Sequence, residues 1–314
     1  MKAYDKIESN QQLYFRVESE EYIHRTPSLY INESLSKQGS EYYYRTLLNE
    51  LGRVDYQESS SLVRLISELQ HYGAKTRMLD ITKSVLVALF FAVEETDRKK
   101  PGYIYIFKEE IGKEKFDTGH TVAIKSALNF MPQKVVSDFL DISSKVVEEG
   151  LNIETYGKYT DEELFIRLVD ILEPQTFDSY KDICKQFMEL LNQRAKVRER
   201  LMYPLKIYND LNRAHIILPA KSTERIRQQQ GTFIFPKYVS TTTNSHEEIK
   251  KQVSNSIHEL QTNLKSNKHE FSVIKIPAGY KKTIRKELAQ IGITPGFVYP
   301  DIEHQSASLI SKLE

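Results

Sequence analysis

Cysteine is almost absent from this sequence: Cys184 is the single one in 314 residues. That excludes an internal disulfide and a cysteine-rich zinc site, and it fits a reducing compartment. Tryptophan is missing altogether. There is no apolar run long enough to cross a bilayer as a helix. The most apolar stretch, Ser84 to Val93 (SVLVALFFAV), is about half the length a span requires and reads as a buried helix. Charge excess of either sign is also lacking. Lys+Arg at 44 against Asp+Glu at 43 leaves a net charge of +1, so no global field draws the chain to nucleic acid or to a membrane, although a local basic groove stays open. No phosphate loop ending in Lys-Ser/Thr, glycine-rich dinucleotide fingerprint, HExxH or GxSxG occurs, which removes kinase, P-loop ATPase and zincin readings. The eight histidines have no metal-ligand spacing, so no metal is expected. Clustered carboxylates of the kind a metal-dependent nuclease needs are missing too. The segment MKAYDKIESNQQLYFR is charged from Lys2 and holds no apolar core of a secretory signal. A cytoplasmic protein with no membrane partner is the expectation.

What the chain does have is length enough to bury a core without metal or disulfide, and a high tyrosine load, 19 residues, bunched at Tyr42 to Tyr44 and at Tyr103 and Tyr105. Alternation predicts a strand over Gln12 to Val17 carrying Arg16. Apolar spacing near 3.6 predicts helices over Glu41 to Leu51 and over Ser60 to Tyr72, the second ended by Gly73 in a left-handed cap. Thr76 to Thr82 (TRMLDIT) reads as a strand, Lys83 to Glu95 as the apolar helix, and Tyr103 to Phe107 as another strand. From Ser126 to Pro204 the composition turns to charged residues interleaved with aliphatics at helical spacing, as in Glu162 to Leu172 and Asp182 to Leu191. Strand signals return at Ala214 to Leu218, Thr232 to Phe235 and Phe271 to Ile276, followed by a helix over Lys281 to Ile291 and a terminal segment Phe297 to Tyr299. Strands and helices do not alternate regularly, so the expected class is α+β with a mixed or antiparallel sheet and an all-helical insertion. The division is 1–125 and 205–314 for the sheet-bearing core and 126–204 for the insertion. At the insertion's end Lys196, Arg198, Arg200 and Lys206 form a basic stripe, either a solvated helix face or a surface for a nucleic acid or protein partner.

The polar residues of QHYGAKTRMLDITKSVLVALFFA, Gln70 to Ala92, fall at a helix end, on a strand and at the next helix start. Gln70 and His71 close one element, Arg77 and Asp80 lie on the strand, and Thr82 and Ser84 stand where the apolar helix begins. Free N–H groups and the helix dipole there suit a phosphate or pyrophosphate, and the hydroxyls add donors. Each residue also fits a structural role: Thr82 as a helix cap, Arg77 and Asp80 paired with neighbouring charges, His71 as a satisfied core residue.

The same stretch resembles the central motif of the FRG-domain family, a soluble intracellular bacterial or phage-associated group. That motif is Gln-His-x-Gly followed by Thr-Arg-x-Leu-Asp-x-Thr and an Ala-rich apolar helix. Phe15-Arg16, with Val17 where a glycine would stand, resembles the family's Phe-Arg-Gly, and Pro27-Ser28-Leu29 its Pro-Ser-Leu. Arg225 to Phe233 (RIRQQQGTF) resembles its Arg-Ile-x-x-Gln-x-Gly-x-Phe, and Gly292-Ile293 with Tyr299-Pro300-Asp301 its ending. Through the family's shared layout with ADP-ribosyltransferases, the resemblance implies an ADP-ribosyltransferase-like fold and an NAD-dependent toxin or phage-defence effector. A nucleic acid or protein would be its target and a cognate antitoxin its regulator. It also implies roles. Arg16 grips NAD phosphate or ribose; His71, Arg77, Asp80, Thr82 and Ser84 line the NAD site; and Gln229 or Gln230 stands where a catalytic Glu would be. Asp301, Glu224 or Glu303 would then supply the carboxylate that an oxocarbenium ion needs. The competing expectation is a non-enzymatic binding or sensor module whose helical insertion recruits a partner.

Overall fold

The computed structural model of the chain describes residues 10–53, 61–94, 100–266 and 269–310. Alternation in QQLYFRVE builds β1 (Gln11–Glu18), with Leu13 and Phe15 entering one core and Tyr14 another. There follow α1 (Glu33–Gln38), α2 (Glu41–Glu50), α3 (Leu62–His71), β2 (Leu79–Thr82), α4 (Val85–Glu94), β3 (Gly102–Glu110) and β4 (Lys115–Phe116). A helical block comes next: α5 (His120–Ala127), α6 (Gln133–Glu148), α7 (Ile153–Tyr156), α8 (Asp161–Leu168), α9 (Pro174–Arg194) and α10 (Pro204–Leu211). The chain then returns to the sheet through β5 (His215–Leu218), α11 (Glu224–Gln228), β6 (Gly231–Phe235) and α12 (His246–His258). A hairpin of β7 (Leu264–Ser266) and β8 (His269–Phe271), then β9 (Val273–Ile276), α13 (Lys281–Gln290), α14 (Pro295–Val298) and α15 (Ile302–Ile310), complete it.

Seven strands form one mixed sheet in the order β4-β5-β6-β2-β1-β3-β9. Only the β4–β5 pair is parallel, so the architecture is α+β. One sheet face, with Tyr14, Ile81, Tyr105 and Ile234, packs on Ile249, Val253 and Ile257 of α12. On the other, Phe15 and Ile106 meet Ala88 and Phe90 of α4 and Leu288 of α13. Gly102 lets β3 start against α4, because a Cβ there would lie 2.3 Å from the Ala92 carbonyl oxygen. The helical block shares its core with the sheet. Leu65 and Ile66 of α3 and Phe233 and Phe235 of β6 belong to the same apolar cluster as Phe139 of α6 and Phe187 of α9, whose rings stack at 3.8 Å. No helix among the described residues is long and apolar enough to cross a membrane.

Several elements differ from the sequence expectation. Only Leu79–Thr82 of the expected strand Thr76 to Thr82 joins the ladder; Thr76 is held instead by side-chain bonds to Ser28 and Gln70. The apolar helix starts at Val85, and α8 stops at Leu168 rather than Leu172, while Asp182 to Leu191 is the middle of a longer helix opened by Pro174. Gly73 does adopt positive φ, +93°, at the end of α3. Ser60, at the expected start of that helix, and Glu95 lie outside the described residues. The basic stripe does not lie on one helix: Lys206 is exposed on α10, whereas the other three residues precede it. Lys196, at φ +53°, turns the chain out of α9, and Arg198 and Arg200 are exposed in the irregular segment before α10.

Lys125 of α5 is wholly buried and donates to the carbonyls of Arg213, at 2.6 Å, and Pro236, at 2.7 Å. Burial, opposed only by the charge of Asp210, pushes its ammonium down to about 7. The unfolded chain keeps that proton to about pH 10.5. Between those pH values the unfolded state therefore binds more protons, and stability rises with pH. We expect urea unfolding free energies to increase from pH 7 to pH 9 in the wild type, and that increase to flatten in Lys125→Met.

Candidate functional site

The sheet is two ladders joined at one point. β1 pairs with β3 over eight residues and β2 with β6 over four, but β1 and β2 share the single register pair Phe15↔Thr82. Past it the strands part, Arg16 and Val17 on one side and Ile81 and Asp80 on the other, and a cleft of about 400 Å³ opens there. Its walls are completed by Ser67, Gln70 and His71 of α3, Phe91 of α4, Arg225, Ile226 and Gln229 at α11, and Gly231, Thr232 and Phe233 of β6. Among the described residues no group of three or more His, Cys, Asp or Glu could hold a metal ion.

Arg16 spans the gap. Its Nη1 donates to the Asp80 carbonyl at 3.1 Å, an oxygen freed by the parting of the strands. The nearest carboxylate, Glu18, is committed to Arg25, which binds it through Nε at 2.7 Å and Nη2 at 3.2 Å while lying 3.5 Å over the Tyr105 ring. Arg16 Nε reaches Glu18 only at 3.8 Å and makes no hydrogen bond, so much of its charge is left for an anion. Arg225 adds a second guanidinium, 5.0 Å over the ring of Tyr299. The Asp80 side chain is exposed to the cleft and accepts from Gln70 Nε2 at 2.7 Å. His71 is lowered from its ordinary value by burial and then by Arg225, against the pull of Asp301 and Asp80, and stands neutral at pH 7.

Of the residues singled out from the sequence, Arg16, His71, Asp80, Thr82 and Gln229 meet in this cleft, and Arg77, Ser84, Gln230 and Asp301 do not line it. Arg77 precedes β2 in irregular backbone and is buried in the core. There it bonds the Tyr30 hydroxyl at 3.2 Å and lies 5.0 Å over Tyr238. Ser84 is the helix cap: its Oγ accepts from Val87 N at 3.3 Å. Thr82 supports that turn by accepting from Ser84 N at 2.9 Å and donating to the Gln229 carbonyl at 2.6 Å. Gln230 takes φ +47° to turn α11 into β6, and its carbonyl accepts from Lys83 N. Gln229 sends its amide to the Val298 carbonyl at 3.2 Å. Asp301 is bound by His304 at 2.7 Å and Glu224 by Arg227; the side chain of Glu303 lies outside the described residues. Arg225 and Phe91 were not anticipated. Arg225 sits in a motif with Arg227, and nothing in the sequence separates the two; one lines the cleft and the other pairs with Glu224.

A split mixed sheet with two arginines and a carboxylate in the split defines an α+β protein with a ligand-sized cleft of mixed apolar and charged lining. The family model of the FRG domain matches residues 11–101 of the chain. That segment supplies β1, α3, β2 and Phe91 of the cleft, while Arg225, Gln229 and β6 come from beyond it. No curated protein and no solved structure matches the chain.

Because Ser84 caps α4 and lies off the cleft wall, Ser84→Ala should lower unfolding free energy by about 1 kcal/mol in urea titrations and leave ligand affinity of the cleft unchanged.

Proposed function

We propose that the cleft binds NAD and cleaves its nicotinamide–ribose bond, passing ADP-ribose to a protein or nucleic-acid acceptor. The observation that carries this reading is the pairing, in one split of the sheet, of two guanidinium groups with the Asp80 carboxylate. The pyrophosphate of NAD is dianionic and suits Arg16 and Arg225. The rings of Phe91 and Phe233 give apolar surface for a base or the nicotinamide. Breaking the glycosidic bond builds positive charge on the ribose, and a carboxylate held in place beside it opposes that charge. Asp80 takes that role, because Gln229 is an amide tied to Val298 and Asp301 and Glu224 point elsewhere. The neutral imidazole of His71 adds no repulsion toward the cationic nicotinamide ring.

A second reading, a binding module without chemistry, has one observation in its favour. The hydroxyl of Thr82 and the amide of Gln229 both serve internal bonds, so two of the positions that the resemblance to ADP-ribosyltransferases would use for NAD are occupied by the fold itself.

Calorimetric titration of NAD, with released nicotinamide followed in parallel, separates the two. The enzyme reading expects Arg16→Ala to weaken binding about tenfold or more, and Asp80→Asn to bind NAD as the wild type does while releasing nicotinamide about 10²–10³ times more slowly. No heat at millimolar NAD would reject it and leave the binding module.

A further inference from the structure

Asp80 is held by a line of hydrogen bonds that begins in the largely buried 3-10 turn Ser28–Ile31. Thr76, fully buried, receives its position from both backbone groups: its N–H donates to Ser28 Oγ at 3.1 Å, and its carbonyl accepts from Leu29 N at 3.0 Å. Its hydroxyl accepts from Met78 N at 3.3 Å and donates to Gln70 Oε1. A carboxamide has one accepting and one donating end. The Asp80 carboxylate only accepts, so the amide nitrogen of Gln70 faces it and donates to Oδ1 at 2.7 Å, which leaves Oε1 to the Thr76 hydroxyl, a group that also lies 3.3 Å from the Met78 carbonyl. The turn Pro27-Ser28-Leu29, Thr76 and Gln70 thus fix one oxygen of the cleft carboxylate.

We infer that Gln70 is a positioning residue for Asp80, with the far end of its amide held by Thr76. It fixes one carboxylate oxygen and so sets the direction of the other, on the side chain that faces the cleft. This rests on the reading of Asp80 as the carboxylate opposing oxocarbenium charge. Gln70 does not touch the reacting atoms. Its removal should therefore act on turnover more than on binding, and a carboxylate in its place should force two like charges to share a proton.

The test is nicotinamide release by the full chain. In Gln70→Ala and Thr76→Val, kcat should fall about tenfold or more with KM for NAD changed less than about threefold. Thr76→Ser, which keeps the hydroxyl, should restore most of the kcat lost in Thr76→Val. In Gln70→Glu the acidic limb of the pH profile should move to higher pH. Unchanged kcat in both Gln70→Ala and Gln70→Glu, with an unmoved profile, would overturn the inference. A second measurement is independent of NAD chemistry: the side-chain amide resonances of Gln70, read by nitrogen-15 NMR. They should shift in both Asp80→Asn and Thr76→Val, and wild-type positions in both variants would also overturn it. If the wild type releases no nicotinamide, the NAD reading fails by itself, and these resonances still decide whether the chain of bonds exists.

Discussion

The single register pair between β1 and β2, Phe15↔Thr82, is the joint on which the rest of the structure depends. At that joint the Thr82 hydroxyl makes two bonds: it donates to the carbonyl that ends α11 and accepts from the N–H that precedes α4. One oxygen thereby pins a strand end, a helix start and a helix end from three distant parts of the chain. Beyond it the ladder opens, and two strands that would otherwise satisfy each other expose backbone groups that must find other partners. Arg16 satisfies one of them, the Asp80 carbonyl. The cleft and the residue that bridges it are consequences of the same break in pairing.

The fold surrounds the buried guanidinium of Arg77 with tyrosines, and here the tyrosine load finds its physical use. Arg77 lies among Tyr30 and Tyr238, whose ring faces and hydroxyl stabilise a guanidinium taken out of water. Tyr238 in turn donates to the Lys125 carbonyl at 2.6 Å, and Tyr44 to that of Lys75 at 2.9 Å. Burial holds both phenols protonated by raising them above their ordinary values. Tyrosine supplies large apolar area and a single hydroxyl that can reach a stray carbonyl, which suits a core where sheet and helical block share one apolar cluster. The ion pair of Arg25 with Glu18 stacks on Tyr105 in the same manner, and by occupying Glu18 it leaves Arg16 poorly neutralised. Charge in the cleft is therefore set by residues outside it.

Much of the fold was legible in the sequence. Alternation placed β1 and Arg16 on it, apolar periodicity placed α2 and α3, and Gly73 marked the end of α3 because left-handed backbone suits a residue without Cβ. The motif from Gln70 to Thr82 was legible as a polar cluster for a local reason: a helix end, a short strand and a helix start bring its members close whatever the rest of the chain does. The helix over Glu224–Gln228 and the two-residue strand β4 were not legible, since elements so short carry no periodicity. Nor was the irregular backbone of the basic stripe before Lys206, where the residue types resemble a helix face and the turn at Lys196 overrides them.

What the sequence by itself determined is which residues could be polar site residues. It put Arg77 and Asp80 together on one strand, and the fold sends the first into the core and the second into the cleft. Only the tertiary structure decided which of them meet. Arg225 and Gln229 reach Arg16 and Asp80 because β6 pairs with β2, a contact between remote segments that no local pattern encodes. The structure likewise decided that Ser84, Gln230 and Asp301 stand off the cleft wall, because the helix cap, the left-handed turn and the His304 pair satisfy them where they are. The physical reason is the same in each case: propensity and period act over neighbouring residues, whereas a cleft is defined by where pairing between distant strands stops.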